Sequence, residues 1–146
     1  MRIYLDCCCL QRPLDDQSQP RIRVEAEAVL AVLAVVQAEN LSLLNSEALE
    51  YEIGRIPNAV RRNEVLGMLA LANERLELTE QTEALAVSLE SDGIWSMDAV
   101  HLALASAGSA DFFCTCDDRL LSKGKSLSGL GCKVVSILEL VLEVTE

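Results

Sequence analysis

The sequence of 146 residues has few aromatic side chains, a single histidine and fewer basic than acidic residues. Aromatic residues make up 3% of the chain, so the platforms on which proteins stack single-stranded bases are nearly absent. Because His101 is the only histidine, RNA cleavage by a histidine acid and base pair is excluded. Twelve Lys and Arg against 23 Asp and Glu give a formal charge of −11, which argues against broad affinity for nucleic acid. Any binding of nucleic acid is therefore expected to involve only a local part of the surface.

Long hydrophobic runs are also lacking. The longest uninterrupted apolar run, Ala28 to Val36, has nine residues, whereas a membrane-spanning helix needs ~20. The first six residues contain the charged Arg2 and Asp6, and the N-terminus lacks the apolar stretch and cleavage site of a signal peptide. We therefore expect a cytoplasmic protein with no membrane segment. The apolar fraction of 51% excludes a disordered chain, and the length fits one domain over residues 1–146.

Six cysteines are present without the spacing of a disulfide framework or a zinc site. Three are consecutive, from Cys7 to Cys9, and Cys114, Cys116 and Cys132 lie in or beside apolar strand-like runs. No C-x-x-C pair occurs among them. We expect buried, unreactive thiols, with a metal or redox role as the less favoured alternative.

Short apolar runs alternate along the chain with longer segments of helical periodicity. The runs of strand length are Arg2 to Leu5, Leu41 to Leu44, Arg75 to Thr79, Phe112 to Cys116 and Cys132 to Ser136. The clearest helical segments are Ile22 to Ala38, Arg61 to Ala72, Gln81 to Glu90 and Met97 to Ala107, and Gln11 to Pro20 is predicted as a loop. This alternation predicts an α/β fold, a three-layer sandwich with a four- to five-stranded, mostly parallel sheet.

Several residues predict where helices begin and end. Ser46 and Ser96 each precede a helical segment and are predicted as N-caps. Trp95 and Val100 have the spacing of a hydrophobic staple, which favours a structural role for the only tryptophan. Gly108 follows the helical segment that ends at Ala107 and is predicted to be a left-handed C-terminal residue.

Acidic residues follow the strand-like runs. Asp6 ends the first run, the pair Asp117 and Asp118 follows the fourth, and Asp98 lies in the first turn of the helix after Ser96. In a parallel α/β sheet, ligands bind outside the carboxyl ends of the strands. These carboxylates are therefore expected to meet at one edge of the sheet.

A fourth acid follows from helical geometry. Counting ~100° per residue from Glu47, the side chain of Glu52 falls at about 140°, between the inward-facing Ala48 and Leu49. A carboxylate on a buried arc needs a partner, since desolvating it alone is costly. Four carboxylates at one crevice would repel one another unless a cation compensates, and oxygen ligands select Mg²⁺ or Mn²⁺. Taken singly, each acid also has a purely structural interpretation, such as Asp117 as an N-cap or Glu52 in a salt bridge.

Four segments resemble, in order and spacing, the acidic motifs of PIN-domain proteins. They are Ile3-Tyr4-Leu5-Asp6, Ser46 to Glu52, Met97 to Ala103 and Thr115-Cys116-Asp117. The resemblance implies a PIN-like fold and a metal-dependent ribonuclease, often the toxin of a VapC-like toxin and antitoxin pair. It also implies homodimerisation.

The same resemblance assigns roles to individual residues. The metal-site and catalytic acids would be Asp6, Glu52, Asp98 and Asp117, with Glu47 as the fallback for the second acid. Asp118, Thr115 and His101 would support them, and His101 is expected to pack or hydrogen-bond beneath the site, with metal or substrate contact as the alternative.

Two departures from the family pattern follow the first aspartate. Cys7 and Cys8 stand where a small polar residue and then an asparagine are usual, which makes activity less secure than fold. The alternative reading is therefore a catalytically weak or inactive PIN-like scaffold that acts through protein contacts.

The mechanism that the residues favour is hydrolysis of RNA by metal-activated water. A Mg²⁺ or Mn²⁺ ion at the acids would lower the pKa of bound water, so no side-chain nucleophile is required. Arg12, Arg119 and Lys123 are predicted to line the approach of the RNA backbone. Solvated surface charge is an equally weighted alternative for these cations.

Overall fold

The computed structural model describes residues 1–145, so the last residue of the predicted domain lies outside the described part. Five parallel strands form one sheet in the order β3-β2-β1-β4-β5. They are β1 (Arg2–Leu5), β2 (Ser42–Ser46), β3 (Glu74–Leu76), β4 (Phe112–Thr115) and β5 (Lys133–Ser136). Each strand lies within or overlaps one of the five predicted runs. The third is shorter than predicted because Thr79 caps a helix instead, accepting a hydrogen bond from the Thr82 amide.

Helices flank this sheet. They are α1 (Cys7–Gln11), α2 (Pro20–Gln37), α3 (Glu47–Gly54), α4 (Ala59–Leu69), α5 (Glu80–Ser91), α6 (Ser96–Ala107), α7 (Asp118–Ser126) and α8 (Ile137–Thr145). Helix α2 packs on α8, α5 packs on α6, and α3 contacts both α4 and α6. The predicted α/β three-layer sandwich is confirmed. Among residues 1–145, no helix combines the length and apolarity needed to cross a bilayer.

Strands β1 and β4 form the buried centre of the sheet. Ile3, Tyr4, Leu5, Phe113 and Cys114 are fully buried. Parallel strands covered on both faces are apolar at successive positions rather than at alternate ones, and these two strands follow that rule. The hydrophobic centre therefore fixes the positions of whatever follows each strand.

The strand order places a topological switch between β1 and β4. From β1 the chain builds outward through β2 and β3, then returns to place β4 and β5 on the other side of β1. Leu5 pairs with Cys114, and the Asp6 amide donates to the Cys114 carbonyl at 3.0 Å. The connections from β1 and β4 diverge at such a switch and leave a crevice, so Asp6 and Thr115 lie at the place where α/β proteins bind ligands.

The predicted helix caps agree with the structure only in part. Ser46 caps α3 by accepting from the Leu49 amide at 3.0 Å. Ser96 is not a cap but the first residue of α6, and Trp95 stands at the cap position without a side-chain hydrogen bond. Because Trp95 itself occupies the cap position and is 62% exposed, the staple spacing predicted from a cap at Ser96 does not apply.

Gly108 does not supply the predicted left-handed turn. Its φ is −79°, and the following Ser109, at φ 55°, adopts the left-handed conformation. A Cβ on Gly108 would lie 2.8 Å from the Leu76 side chain, so close packing of α6 on β3 explains the glycine. The glycine therefore marks the end of α6 as predicted, but because of close packing and not because of a left-handed conformation.

The segment predicted as a loop, Gln11 to Pro20, is mostly turn but is bounded by helices. Helix α1 ends at Gln11, a 3-10 helix covers Arg12–Leu14, and α2 begins at Pro20. Pro13 and Pro20 both occupy first-turn positions, where a missing amide hydrogen costs nothing. Both prolines therefore start helices rather than interrupt them.

Candidate active site

Asp6 is a buried carboxylate at the carboxyl end of β1. Its side chain is 5% exposed and accepts a hydrogen bond from the Thr115 hydroxyl at 2.9 Å. The Cys8 thiol approaches the same oxygen at 3.4 Å. Burial, with the nearby Cys8, raises the pKa of Asp6 well above its usual range, and His101 and Thr115 oppose that rise. A carboxyl group in this environment is poised to bind either a proton or a cation.

Thr115 connects two of the acids. Its hydroxyl donates to Asp6 and accepts from the Asp117 amide at 3.1 Å. One Asp117 oxygen, Oδ1, accepts from the amides of Arg119 and Leu120 at 2.9 and 3.1 Å, so Asp117 caps α7. The cap interpretation and the site interpretation are thus compatible, because the Asp117 Oδ2 atom makes none of these bonds.

Asp98 lies in the first turn of α6 and is half-buried. Burial and the negative charge of Asp117 raise its pKa to about 6, and Glu52 adds to the effect while His101 opposes it. Asp98 in turn contributes to the raised pKa of Asp6. The three aspartates therefore lie within electrostatic reach of one another, although they come from three separate parts of the chain.

A chain of hydrogen bonds runs beneath the acids from Glu52. Glu52 Oε1 lies 2.6 Å from His101 Nε2, and His101 Nδ1 lies 2.6 Å from the Tyr4 hydroxyl. The Tyr4 hydroxyl lies 2.7 Å from Ser46 Oγ. With neutral imidazole, Ser46 donates to Tyr4, Tyr4 donates to Nδ1, and Nε2 donates to Glu52, which satisfies every member.

His101 is fully buried and uses both ring nitrogens in this chain. Burial lowers its pKa, but the hydrogen bond to Glu52 and the charge of Asp6 outweigh that, so the pKa is raised overall. Of the two roles predicted for His101, the geometry favours hydrogen bonding beneath the site over metal contact. The hydrogen bond between His101 Nε2 and Glu52 Oε1 orients Glu52 toward the aspartates.

The donor set fits a hard divalent cation. The ligand atoms of Asp6, Glu52 and His101 lie within 4.8 Å of one another. Since the His101 nitrogens are already bonded, oxygen atoms remain, and these are the ligands that Mg²⁺ and Mn²⁺ prefer. Within residues 1–145, no Lys or Arg side chain forms an ion pair with Asp6, Asp98 or Asp117. A bound cation would relieve the repulsion that raises the pKa of Asp98.

Two predicted acids lie elsewhere. Glu47, the fallback for the second acid, accepts from the Leu78 amide at 3.1 Å and borders an apolar depression with Tyr51 and Met97. Asp118 is exposed and forms a two-bond pair with the Arg21 guanidinium at 2.6 and 2.9 Å. The structure therefore brings Glu52 rather than Glu47 to Asp6, and it turns Asp118 toward a cation on α2.

The predicted RNA-binding cations are partly occupied by contacts within the chain. Arg12 pairs with Asp15 at 3.0 Å and with the buried Glu25 at 3.1 Å. The Arg119 guanidinium lies 4.1 Å from the centre of the exposed Trp95 ring. Lys123 is exposed, and its Nζ lies beside Gly93. Arg119 and Lys123 remain accessible on α7, whereas Arg12 is held by carboxylates.

Sequence analysis missed the part played by Tyr4 and by Ser46 beyond its cap. The alternation of a strand places residues i and i+2 on the same face, so Tyr4 could have been matched to Asp6. It also missed the convergence of Cys8, Cys9 and Cys116, whose sulfur atoms lie within 4.8 Å of one another. No spacing rule signals that contact, because Cys116 is more than 100 positions away from Cys8 and Cys9.

Comparison with known proteins identifies the fold. No family model matches the sequence, and no curated protein matches it. VapBC2 from Rickettsia felis, solved bound to a DNA fragment from its promoter, aligns with a TM-score of 0.58 at 14% identity, over 93% of this chain and 98% of that one. PAE2754 from Pyrobaculum aerophilum aligns with a TM-score of 0.59 at 19% identity, over 99% of this chain and 90% of that one. These likenesses confirm the predicted PIN-like fold.

Proposed function

We propose that this chain is a divalent-metal-dependent endoribonuclease that hydrolyses RNA phosphodiester bonds at Asp6, Glu52, Asp98 and Asp117. One observation carries the proposal. The switch between β1 and β4 gathers Asp6 and Asp117 near Asp98, where burial and the negative charge of Asp117 raise the pKa of Asp98 to about 6. No Lys or Arg side chain within residues 1–145 forms an ion pair with the three aspartates. Such a cluster is costly unless a cation is its normal occupant.

The residues of the cluster would divide between holding the ion and positioning the groups that hold it. Asp6, Asp98 and Asp117 would hold Mg²⁺ or Mn²⁺, with Glu52 as a further oxygen donor. The ion supplies activation of bound water and stabilisation of charge on the phosphate. Thr115 fixes the spacing of Asp6 and Asp117, and His101 orients Glu52 through its Nε2 hydrogen.

The substrate would reach the acids along α7. Arg119 and Lys123 lie on this helix, and its N-terminus begins directly after Asp117. They would contact the phosphates of a single-stranded or looped RNA. Arg12 would contribute only after leaving Asp15 and Glu25, so its role in RNA binding is the smallest of the three.

We further propose that the chain is the toxin of a cytoplasmic toxin and antitoxin pair, and that it forms a homodimer. The support is the shared fold with VapBC2, which was solved bound to a DNA fragment from its promoter. A net charge of −11 fits this scheme, because an acidic nuclease of low general affinity for nucleic acid would depend on a partner or on RNA shape for selectivity.

The decisive experiment measures cleavage of labelled RNA with Mn²⁺ by the wild-type protein, by Asp98→Asn, and by Asp111→Asn as the matched control. Asp111 is an exposed aspartate at the opposite end of β4, where its Oδ2 accepts from the Arg2 amide at 2.7 Å. We expect cleavage by wild type and by Asp111→Asn, abolition by EDTA, and loss of at least ~100-fold in Asp98→Asn. Cleavage that survives EDTA or Asp98→Asn would refute the metal-hydrolase mechanism.

A second candidate is a PIN-like scaffold that binds partners without cleaving RNA. Two observations favour it, namely the Cys8 thiol at 3.4 Å from Asp6 Oδ2 and the engagement of Arg12 by carboxylates. Thermal denaturation with Mn²⁺ shows whether the metal site is intact in a protein that cleaves no RNA. Stabilisation by Mn²⁺ with no cleavage of any RNA tested would favour the scaffold.

A further inference from the structure

We propose that Cys8, Cys9 and Cys116 form a second metal site that binds a thiophilic cation of the Zn²⁺ and Cd²⁺ class, beside the carboxylate of Asp6. Their sulfur atoms lie within 4.8 Å of one another. A tetrahedral Zn²⁺ with bonds of ~2.3 Å to sulfur requires sulfur atoms roughly 3.8 Å apart. The three thiols therefore stand close to the positions that such an ion needs.

The fold brings these sulfurs together at the same strand ends that carry Asp6 and Asp117. Helix α1 begins directly after Asp6 and supplies Cys8 and Cys9, while Cys116 follows β4. Cys9 Sγ lies 3.3 Å from Cys116 Sγ. The sulfur of the buried Cys114 lies 3.8 Å from Cys9 Sγ but is not within 4.8 Å of all three sulfurs, so a water molecule would complete the tetrahedron.

The surroundings match those of a metal thiolate site. The Cys116 amide points at Cys8 Sγ at 3.4 Å, and amide hydrogens directed at sulfur stabilise its negative charge. The guanidinium of Arg12 lies beside Cys116 and adds positive charge. Three thiolates around a divalent ion carry a net charge of −1, and the cation beside them is Arg12, which also pairs with Asp15 and Glu25.

Access and chemical balance also favour binding. Cys9 and Cys116 are buried, but Cys8 is only half-buried, which leaves a route for an ion from solvent. Each thiol that binds releases its proton to solvent, so three protons leave as one ion enters, and no electron is transferred. A pure packing role explains the buried Cys7, but it does not explain why the sulfurs of Cys8, Cys9 and Cys116 converge where Cys8 reaches solvent.

The test is titration of the fully reduced protein with Cd²⁺, read by the ultraviolet charge-transfer band of cadmium thiolates and by the stoichiometry. Wild type is expected to bind one Cd²⁺ with such a band. Cys8→Ser and Cys116→Ser should weaken binding at least ~10-fold and reduce the band. Cys132→Ser is the matched control, because Cys132 is a half-buried cysteine outside the cluster, and it should bind as wild type does.

Asp98→Asn keeps the thiol site distinct from the proposed nuclease site. It should lose Mn²⁺-dependent cleavage and still show the cadmium thiolate band, so failure of either proposal can be recognised separately. Far-UV circular dichroism and thermal denaturation establish that each cysteine variant folds, and Cys8→Ser, at the half-buried position, is the variant that disturbs packing least.

Three outcomes would overturn the proposal. They are absence of the band in reduced wild type, an unchanged band in folded Cys8→Ser, and loss of the band in Asp98→Asn. Peptide mapping without reductant supplies a further one, because a Cys9 to Cys116 disulfide in a protein that takes up no Cd²⁺ after reduction would assign these thiols to redox chemistry instead.

Discussion

The two ends of the central strands treat acidic residues in opposite ways. At the amino end, the Arg2 guanidinium binds Glu74 through two hydrogen bonds of 2.6 and 3.1 Å, and the Arg2 amide binds Asp111. At the carboxyl end, Asp6 and Asp98 are buried or half-buried, and no basic side chain within residues 1–145 pairs with them. Within residues 1–145, Glu74 at the amino end is paired with a cation, whereas Asp6 and Asp98 at the carboxyl end have no Lys or Arg partner.

This difference separates acids that are paired within the chain from the acids that we propose bind a metal ion. Paired acids at an exposed edge contribute little to stability, typically less than about 1 kcal/mol each. Crowded acids that raise one another's pKa destabilise the folded chain until something binds them. Acid count alone therefore does not identify a site, whereas missing partners and crowding do.

The largest expected effect is stabilisation by a metal ion at the carboxyl end alone. Saturating Mn²⁺, at about 100 times its Kd, should stabilise wild type by about 2.7 kcal/mol, measured by thermal denaturation against an EDTA reference. Asp111→Asn at the amino end should retain this stabilisation, and Asp98→Asn should lose most of it. Equal stabilisation of both variants would erase the proposed difference between the two ends.

The next largest effect concerns the hydrogen-bonded chain beneath the acids. Tyr4→Phe removes the hydroxyl that joins Ser46 to His101 while keeping the ring stacked on Phe113 at 5.5 Å. Because the abandoned groups are buried, we expect the free energy of unfolding to fall by about 1–3 kcal/mol in chemical denaturation.

The control for this measurement is Tyr51→Phe. The Tyr51 ring is 54% exposed, and its hydroxyl accepts from Arg55 at the surface. Its removal should change stability by no more than about 0.5 kcal/mol. If both variants lose the same stability, the hydrogen bonds among Ser46, Tyr4 and His101 contribute nothing specific to the free energy of unfolding.

A smaller effect is the pH dependence of stability in EDTA. The pKa of Asp98 is 3.8 ordinarily and about 6 in the folded chain, so the folded state holds this proton more tightly. The stability from that proton is complete below about pH 4 and is lost as pH rises through about 6. Asp98→Asn should therefore become the more stable protein above pH 6, by about 1 kcal/mol after allowance for partial exposure.

Paired denaturation curves of wild type and Asp98→Asn across this pH range isolate the contribution of Asp98. The raised pKa values of Asp6 and His101 act in the same direction, and both proteins retain those groups. A stability difference that stays constant from pH 4 to pH 7 would contradict the crowding of the acids.

The smallest expected effect belongs to the amino end. Glu74→Gln weakens the exposed pair with Arg2, whose side chain also donates to the carbonyls of Gly108 and Ser109. The free energy of unfolding should change by less than about 1 kcal/mol, with no change in the Mn²⁺ response. A larger loss in urea denaturation would show that this end carries more structural energy than exposed pairs normally do.

Much of the fold was predictable because its signals are local. Strand-length apolar runs and helical periodicity located all five strands and most helices, since burial on both faces of β1 and β4 leaves a direct mark on composition. Short elements escaped. Helix α1 has five residues, too few to display a period. The Trp95 staple was not formed as predicted because α6 begins at Ser96, which places Trp95 at the cap position.

The candidate site was predictable in its acids and not in their partners. Asp6 and Asp117 follow strands, so parallel topology brings them to one edge, and helical rotation placed Glu52 on the inward-facing side of its helix. The partner of Glu52 could not be read from spacing, because His101 is 49 positions away. The same limit applies to Arg12, whose contact with Glu25 depends on how α2 packs beside the 3-10 helix.

Sequence by itself determined the alternation of strands and helices, the sign of the charge and the placement of acids at strand ends. Each of these depends on residues close together in the chain, where periodicity and backbone geometry act directly. The tertiary structure decided which charges are neutralised and which sulfurs meet. Those outcomes depend on atoms a few ångströms apart in space from residues as much as 109 positions apart in sequence, such as Thr115 and Asp6, and local pattern carries no record of such distances.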